Sequence, residues 1–207
     1  MATIIVPVGF SNGPSWNPDP DVQLGAEPDC YEIILGYGTV SLQRESFLTW
    51  VSAFADIDVH SKLELTRDRL IQTAGSMAGV LDAAAAVQRL VDTGLLVEFD
   101  PAADSMIEFL RSHRLFPTGE GLGNTRESPE YFRIGRDGNV LFHVLSEVYT
   151  LWGLSHNNKS MWDSVGEFFR GLDQDPVIPY DRAGLGSIFA AAIPLLVAGR
   201  CAYLQPL

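Results

Sequence analysis

Residues 31–50, YEIILGYGTVSLQRESFLTW, change their hydrophobic period once, and that change decides the fold. Tyr31 to Leu35 and Thr39 to Leu42 are runs of strand-forming residues split by Gly36-Tyr37-Gly38, the pattern of a hairpin with a short glycine-containing turn. From Glu45 the apolar residues fall three and four apart: Phe47, Trp50, Val51 and Phe54 lay one wide stripe along a helix. Working outward, Thr3 to Val8 reads as a further strand able to pair with the hairpin.

Downstream, Thr66 is placed to cap a second helix from Arg67 to Ala74. Leu81 to Thr93 gives a third, with Ala84, Val87 and Val91 on one face and Gly94 where a left-handed glycine stops it. Leu95 to Phe99 then alternates as a strand, ended by Pro101. Asp104 to Leu115 reads as a connecting helix. Two stretches are crowded with turn formers, residues 9–29 and Pro117 to Pro129, and both read as loops. The apolar run Ile188 to Val197, interrupted by Pro194, falls short of the ~20 residues a membrane span needs and reads as a buried helix.

The second half repeats the first in outline. Glu45-Ser-Phe-Leu-Thr-Trp50 finds its counterpart in Glu147-Val-Tyr-Thr-Leu-Trp152. Gly38-Thr-Val40 is echoed by Gly138-Asn-Val140, each after a strand-like segment opening with Tyr31 or Tyr131. Leu90 to Gly94 matches Leu195 to Gly199. The expected class is therefore α+β, with two tandem winged-helix-like units, each a small sheet plus three helices. The divisions are an N-terminal strand and Pro/Gly-rich loop at 1–30, unit one at 31–101, a connecting helix and linker at 102–130, and unit two at 131–207.

The 207 residues hold 14 Lys and Arg against 26 Asp and Glu, a formal charge of −12, so phosphate backbones and anionic lipid repel the chain at long range. Nucleic acid and membrane are not expected as partners. Cys30 and Cys201 have no metal-ligand spacing, and the start of the chain lacks the basic region of a signal peptide, which points to the cytoplasm. His60, His113, His143 and His156 form no helical pair for zinc. Asp56-Ile-Asp58 and Asp173-Gln-Asp175 read as solvated turns, and Gly119-Glu-Gly-Leu-Gly123 lacks the Lys of a phosphate loop. No cofactor and no catalytic motif is expected. Trp16, in the proline-rich loop, is a candidate partner contact.

From Tyr31 to Pro101 the order strand, glycine turn, strand ending at Leu42, helix bearing Trp50, and then Leu90-Val-Asp-Thr-Gly-Leu-Leu-Val97 resembles the PqqD-like peptide-recognition domains of ribosomal peptide biosynthesis, the RiPP recognition elements. The resemblance implies a non-catalytic module that takes a leader peptide as an added strand between the sheet edge and the third helix. Exposed strand edges offer unpaired N–H and C=O groups for such pairing. On this sequence the edge is Thr39, Val40 and Ser41, and the helix face Val87, Gln88 and Val91. The expected partner is a peptide or protein, and a homodimer is compatible with this reading. Two other classes stay open: a winged-helix transcriptional regulator, disfavoured by Asp82 and Asp92 on the third helix, and an enzyme with a site between the units using His143 or His156 as base.

Overall fold

A computed structural model describes residues 3–16, 27–172 and 181–207, an α+β chain of small antiparallel sheets and helices. Strand β1 (Ile4–Pro7) does not join the hairpin. It pairs with β5 (Leu96–Phe99), Ile4 opposite Phe99 and Pro7 opposite Leu96. The hairpin, β3 (Cys30–Leu35) and β4 (Gly38–Leu42), gains its third strand from β2 (Phe10–Ser15), in order β2-β3-β4. This corrects the reading of 9–29 as wholly loop. Gly13, at φ 98, sits at a register shift, and Pro14 is tolerated on an edge strand.

Four helices follow: α1 (Arg44–Ser52), α2 (Ile57–Ser61), α3 (Arg67–Met77) and α4 (Ala83–Asp92). The Thr66 hydroxyl accepts from the Arg69 N–H to cap α3, and the Asp82 carboxylate accepts from Ala85 N–H to cap α4. Asp56 does the same for α2 by accepting from Val59 N–H. It is thus a cap in the αL region, not a plain solvated turn. Asp173-Gln-Asp175 lies outside the described residues.

Helix α5 (Asp104–Ser112) leads into strands β6 (His113–Pro117), β7 (Glu120–Gly123), β8 (Tyr131–Arg136) and β9 (Asn139–Leu145). Then come α6 (Ser146–Leu154), a 3-10 turn at Ser155–Asn157, α7 (Met161–Leu172), α8 (Arg182–Ala198) and β10 (Ala202–Pro206). Strand β6 pairs with β10, and the sheet β7-β8-β9 leads into α6, the same strand order and pairing as in residues 4–99. Residues 113–123 therefore belong to the second half and are strands where a linker was expected.

Helices α4 and α8 end in the same backbone motif. Leu95 N–H donates to Leu90 O (2.9 Å) and Gly94 N–H to Val91 O (3.0 Å); Cys201 N–H donates to Leu196 O and Arg200 N–H to Val197 O, both at 2.9 Å. The left-handed position is thus Gly94 (φ 75) in one half and Arg200 (φ 54) in the other, so Gly94 does not correspond to Gly199. A side chain there costs about 1 kcal/mol relative to glycine. The hairpin anchor shifts too: the turn residues are Gly36-Tyr37 and Asp137-Gly138, which makes Asn139 the counterpart of Gly38. A further repeat escapes the sequence reading, Pro7-Val8-Gly9 and Pro117-Thr118-Gly119. Val8 N–H donates to Leu95 O and Thr118 N–H to Cys201 O, both at 2.9 Å. Both glycines are required by close approach, since a Cβ would lie 2.6 Å from the Ile33 side chain at Gly9 and 2.9 Å from that of Cys201 at Gly119.

Strand β1 serves two cores. Ile5 packs with Ile33, Trp50, Leu70 and Leu90, whereas Ile4 and Val6 pack with Phe99, Phe109 and Phe189 of the other cluster. Helix α8, apolar on most sides, lies against α2, α5, α6 and α7. Gln205 of β10 crosses to the first hairpin, accepting from Gly36 N–H (2.6 Å) and donating to Ile34 O (3.1 Å). Among the described residues no helix is long and apolar enough to cross a membrane.

Burial holds the His60 and His113 imidazoles below their ordinary value of 6.5. At His60 the desolvation outweighs the opposing carbonyls of Ala53 and Ala55 and the Asp56 carboxylate, and neither ring nitrogen makes a well-formed hydrogen bond within the described residues. The unfolded chain therefore takes up protons first as the pH falls below 6.5, and stability present at neutral pH is lost on the acid side. Melting temperature should fall between about pH 7 and about pH 5, and His60→Leu should flatten that fall. An unchanged slope in the variant would assign the pH dependence to other groups.

Candidate functional site

Strand β4 ends its sheet, with β3 on one side and no strand among the described residues on the other. Leu35 and Gly38 flank the two-residue turn and so exchange ladder bonds. Alternation then turns the N–H and C=O of Val40 inward to Ile33, while those of Thr39 and Ser41 point away from β3. Of the three expected edge residues, Thr39 and Ser41 carry the outward backbone groups.

The helix residues expected beside them are elsewhere. Val87 is fully buried in the first core and Val91 packs at its margin. Gln88 is exposed, but its carboxamide accepts from Arg67 (2.6 Å) and donates to Asp92 (2.7 Å). Arg67 in turn pairs with Glu98 of β5. Helix α4 packs on α1, α3 and β5, so these residues do not converge with Thr39, Val40 and Ser41 into one groove. Strand β9, at the edge of the other sheet, exposes Val140, Leu141 and Leu145, with Tyr131 opposite Leu145. Trp16 is about half exposed at the end of β2.

A cleft of about 490 Å³ opens instead at the seam of the two halves. One wall is the apolar stripe visible in the sequence, Phe47 and Trp50 of α1 with Phe54 in the turn just after it, Trp50 and Phe54 lying edge to face at 4.7 Å between centroids. Trp50 is fixed by its indole N–H, which donates to Val8 O at 3.0 Å. The opposite wall brings Phe10 of β2 against Tyr203 of β10, centroids 5.1 Å apart. At the rim stand Thr118, Arg136 and Arg200. The Arg200 guanidinium lies over the Phe54 ring, 5.8 Å from its centroid. Its carbonyl accepts from the Thr118 hydroxyl (2.8 Å) and from Arg136 (3.4 Å). Sequence reasoning found the α1 stripe but not its role, because the facing residues lie far from it along the chain, Phe10 before it and positions 118–203 after it. The paired Pro-x-Gly segments were the available signal, since the first brings Gly9 and strand β2 to the cleft and the second brings Thr118.

None of the four histidines lines this cleft, so neither His143 nor His156 is placed there as a base. The Cys201 thiol feels the charge of Arg136, but burial raises its pKa more than the guanidinium lowers it, which leaves it a protonated and poor nucleophile. No group of three metal-ligating side chains occurs among the described residues. The chemistry the cleft offers is aromatic surface, hydroxyls and guanidinium donors. Comparison with protein-family models, with curated proteins and with solved structures finds no match to this chain.

The β4 register makes a direct prediction. In amide hydrogen exchange Val40 should be protected, whereas Thr39 and Ser41 should exchange quickly. Val40→Pro should lower stability by about 1 kcal/mol or more through its lost ladder bond, and Thr39→Pro by clearly less. Equal protection of all three amides would mean that the edge is covered.

Proposed function

We propose that this chain is a non-catalytic binding protein made of two winged-helix-like halves, which anchors a segment of a peptide or protein partner in the cleft between them. The observation that carries this reading is the cleft itself: concave, walled by aromatic rings from both halves, and, among the described residues, without a nucleophile and base in mutual reach. Clefts of that kind suit the anchor side chains that dominate peptide affinity. The outward amides of Thr39 and Ser41, on the sheet edge opposite β2, leave an edge open to strand addition outside the cleft, and the net charge of −12 supports a partner other than nucleic acid.

The test is selection from a displayed random-peptide library on the whole chain. Peptides with an apolar anchor should be enriched. Ser11→Trp, which fills the cleft from β2, should weaken the selected peptide about tenfold or more, near 1.4 kcal/mol, with the melting temperature preserved. Failure to enrich any peptide, or undiminished binding by a folded Ser11→Trp variant, would overturn the reading.

A further inference from the structure

We propose that the group recognised in the cleft is a carboxylate carried beside an apolar side chain, the carboxylate received by Arg200 and Arg136 and the side chain by the aromatic walls. This deepens the binding reading above and rests on it. Acidic residues outnumber basic ones 26 to 14, yet the ion pairs among the described residues are made by Arg44, Arg67 and Arg69. Arg136 and Arg200, the arginines of the cleft, form none within those residues. Their proximity is built in, because Arg136 donates to the Arg200 carbonyl at 3.4 Å. That contact uses one of the five N–H donors of Arg136, leaving the others for a ligand. Both arginines line the cleft, one from the end of β8 and one from just past α8, so an anion bound there is met by two positive charges.

The repeat supplies the second line of argument. The backbone position of Arg200 is left-handed, and the corresponding position in the first half is Gly94, the residue such a position favours. The charge of an arginine just past the C-terminus of α8 is favourable to the helix dipole, but glycine would avoid the backbone cost. The arginine also sends a guanidinium over Phe54, at the mouth of the cleft. A monoanion is favoured over a phosphate dianion, since the field of a chain at −12 opposes each added negative charge. The carboxylate has two sources, the free C-terminus of a peptide ending in an apolar residue, or an internal Asp or Glu next to one.

The experiment follows the Arg136 and Arg200 Nε–H and Trp50 indole resonances of the full chain during titration with N-acetylphenylalanine, its amide, N-acetyl-Phe-Asp-amide and phenyl phosphate. At least one carboxylate should bind about tenfold or more tightly than the neutral amide, and the tighter of the two names the source. Arg200→Gly should abolish that preference without lowering the melting temperature, and Arg136→Gln should weaken it. Equal binding of acid and amide, an unchanged preference in Arg200→Gly, or tighter binding of phenyl phosphate would overturn the carboxylate assignment while leaving the cleft a binding site. If no probe moves the cleft resonances at millimolar concentration, the binding reading itself fails as well.

Discussion

Everything in this chain is arranged around a four-residue strand that has no free face. Ile4, Ile5 and Val6 are all buried, with Ile5 committed to one core and its neighbours to the other. A strand covered on both faces must be apolar without alternation, which is what Ile-Ile-Val provides. Its partner β5 is held the same way, Leu96 in the first core and Phe99 in the second. The halves therefore share a β-ribbon and cannot be separated at a linker. That shared ribbon fixes the distance between them and with it the width of the cleft.

What could be read from the sequence was local. Thr66 and Gly94 announce helix ends because a cap depends on neighbours within one turn, and the hairpin and α1 were legible from a change of period inside 20 residues. What could not be read was either non-local or disguised. The pairing of Ile4 with Phe99 spans the whole first half, and nothing near Ile4 points to it. Strand β2 was hidden because Gly13 and Pro14, ordinarily breakers, are permitted by a bulge on an edge. Equating Gly94 with Gly199 failed for a plain reason: the left-handed position in the second half is held by an arginine, so the usual glycine marker was absent and a neighbour stood in for it.

The site divides along the same line. Val87 and Val91 were correctly seen to share a helix face, but that face is turned to the core, and periodicity alone cannot distinguish a core stripe from a groove wall. Phe47, Trp50 and Phe54 show the converse. Their stripe reads as core, and part of it is, yet its outer margin becomes a cleft wall once Tyr203 and Arg200 arrive from the other half. A net charge of −12 describes the surface average and conceals the guanidinium pair where the halves meet.

The tie between Gln205 and the first hairpin bears on the order of assembly. During synthesis the first half can close on itself as soon as β5 is made, since its strands and helices are consecutive in the chain. Ile4 and Val6 then face outward, towards a core whose α8 and β10 have not yet been translated. Until those segments emerge, the nascent chain displays an apolar ribbon of the kind that holdase chaperones engage. The Gln205 carboxamide docks on Ile34 and Gly36 among the last contacts to form, and Arg200 and Tyr203 reach the cleft in the same step. The cleft is thereby complete only when the fold is, so a ribosome-bound or truncated product would lack it.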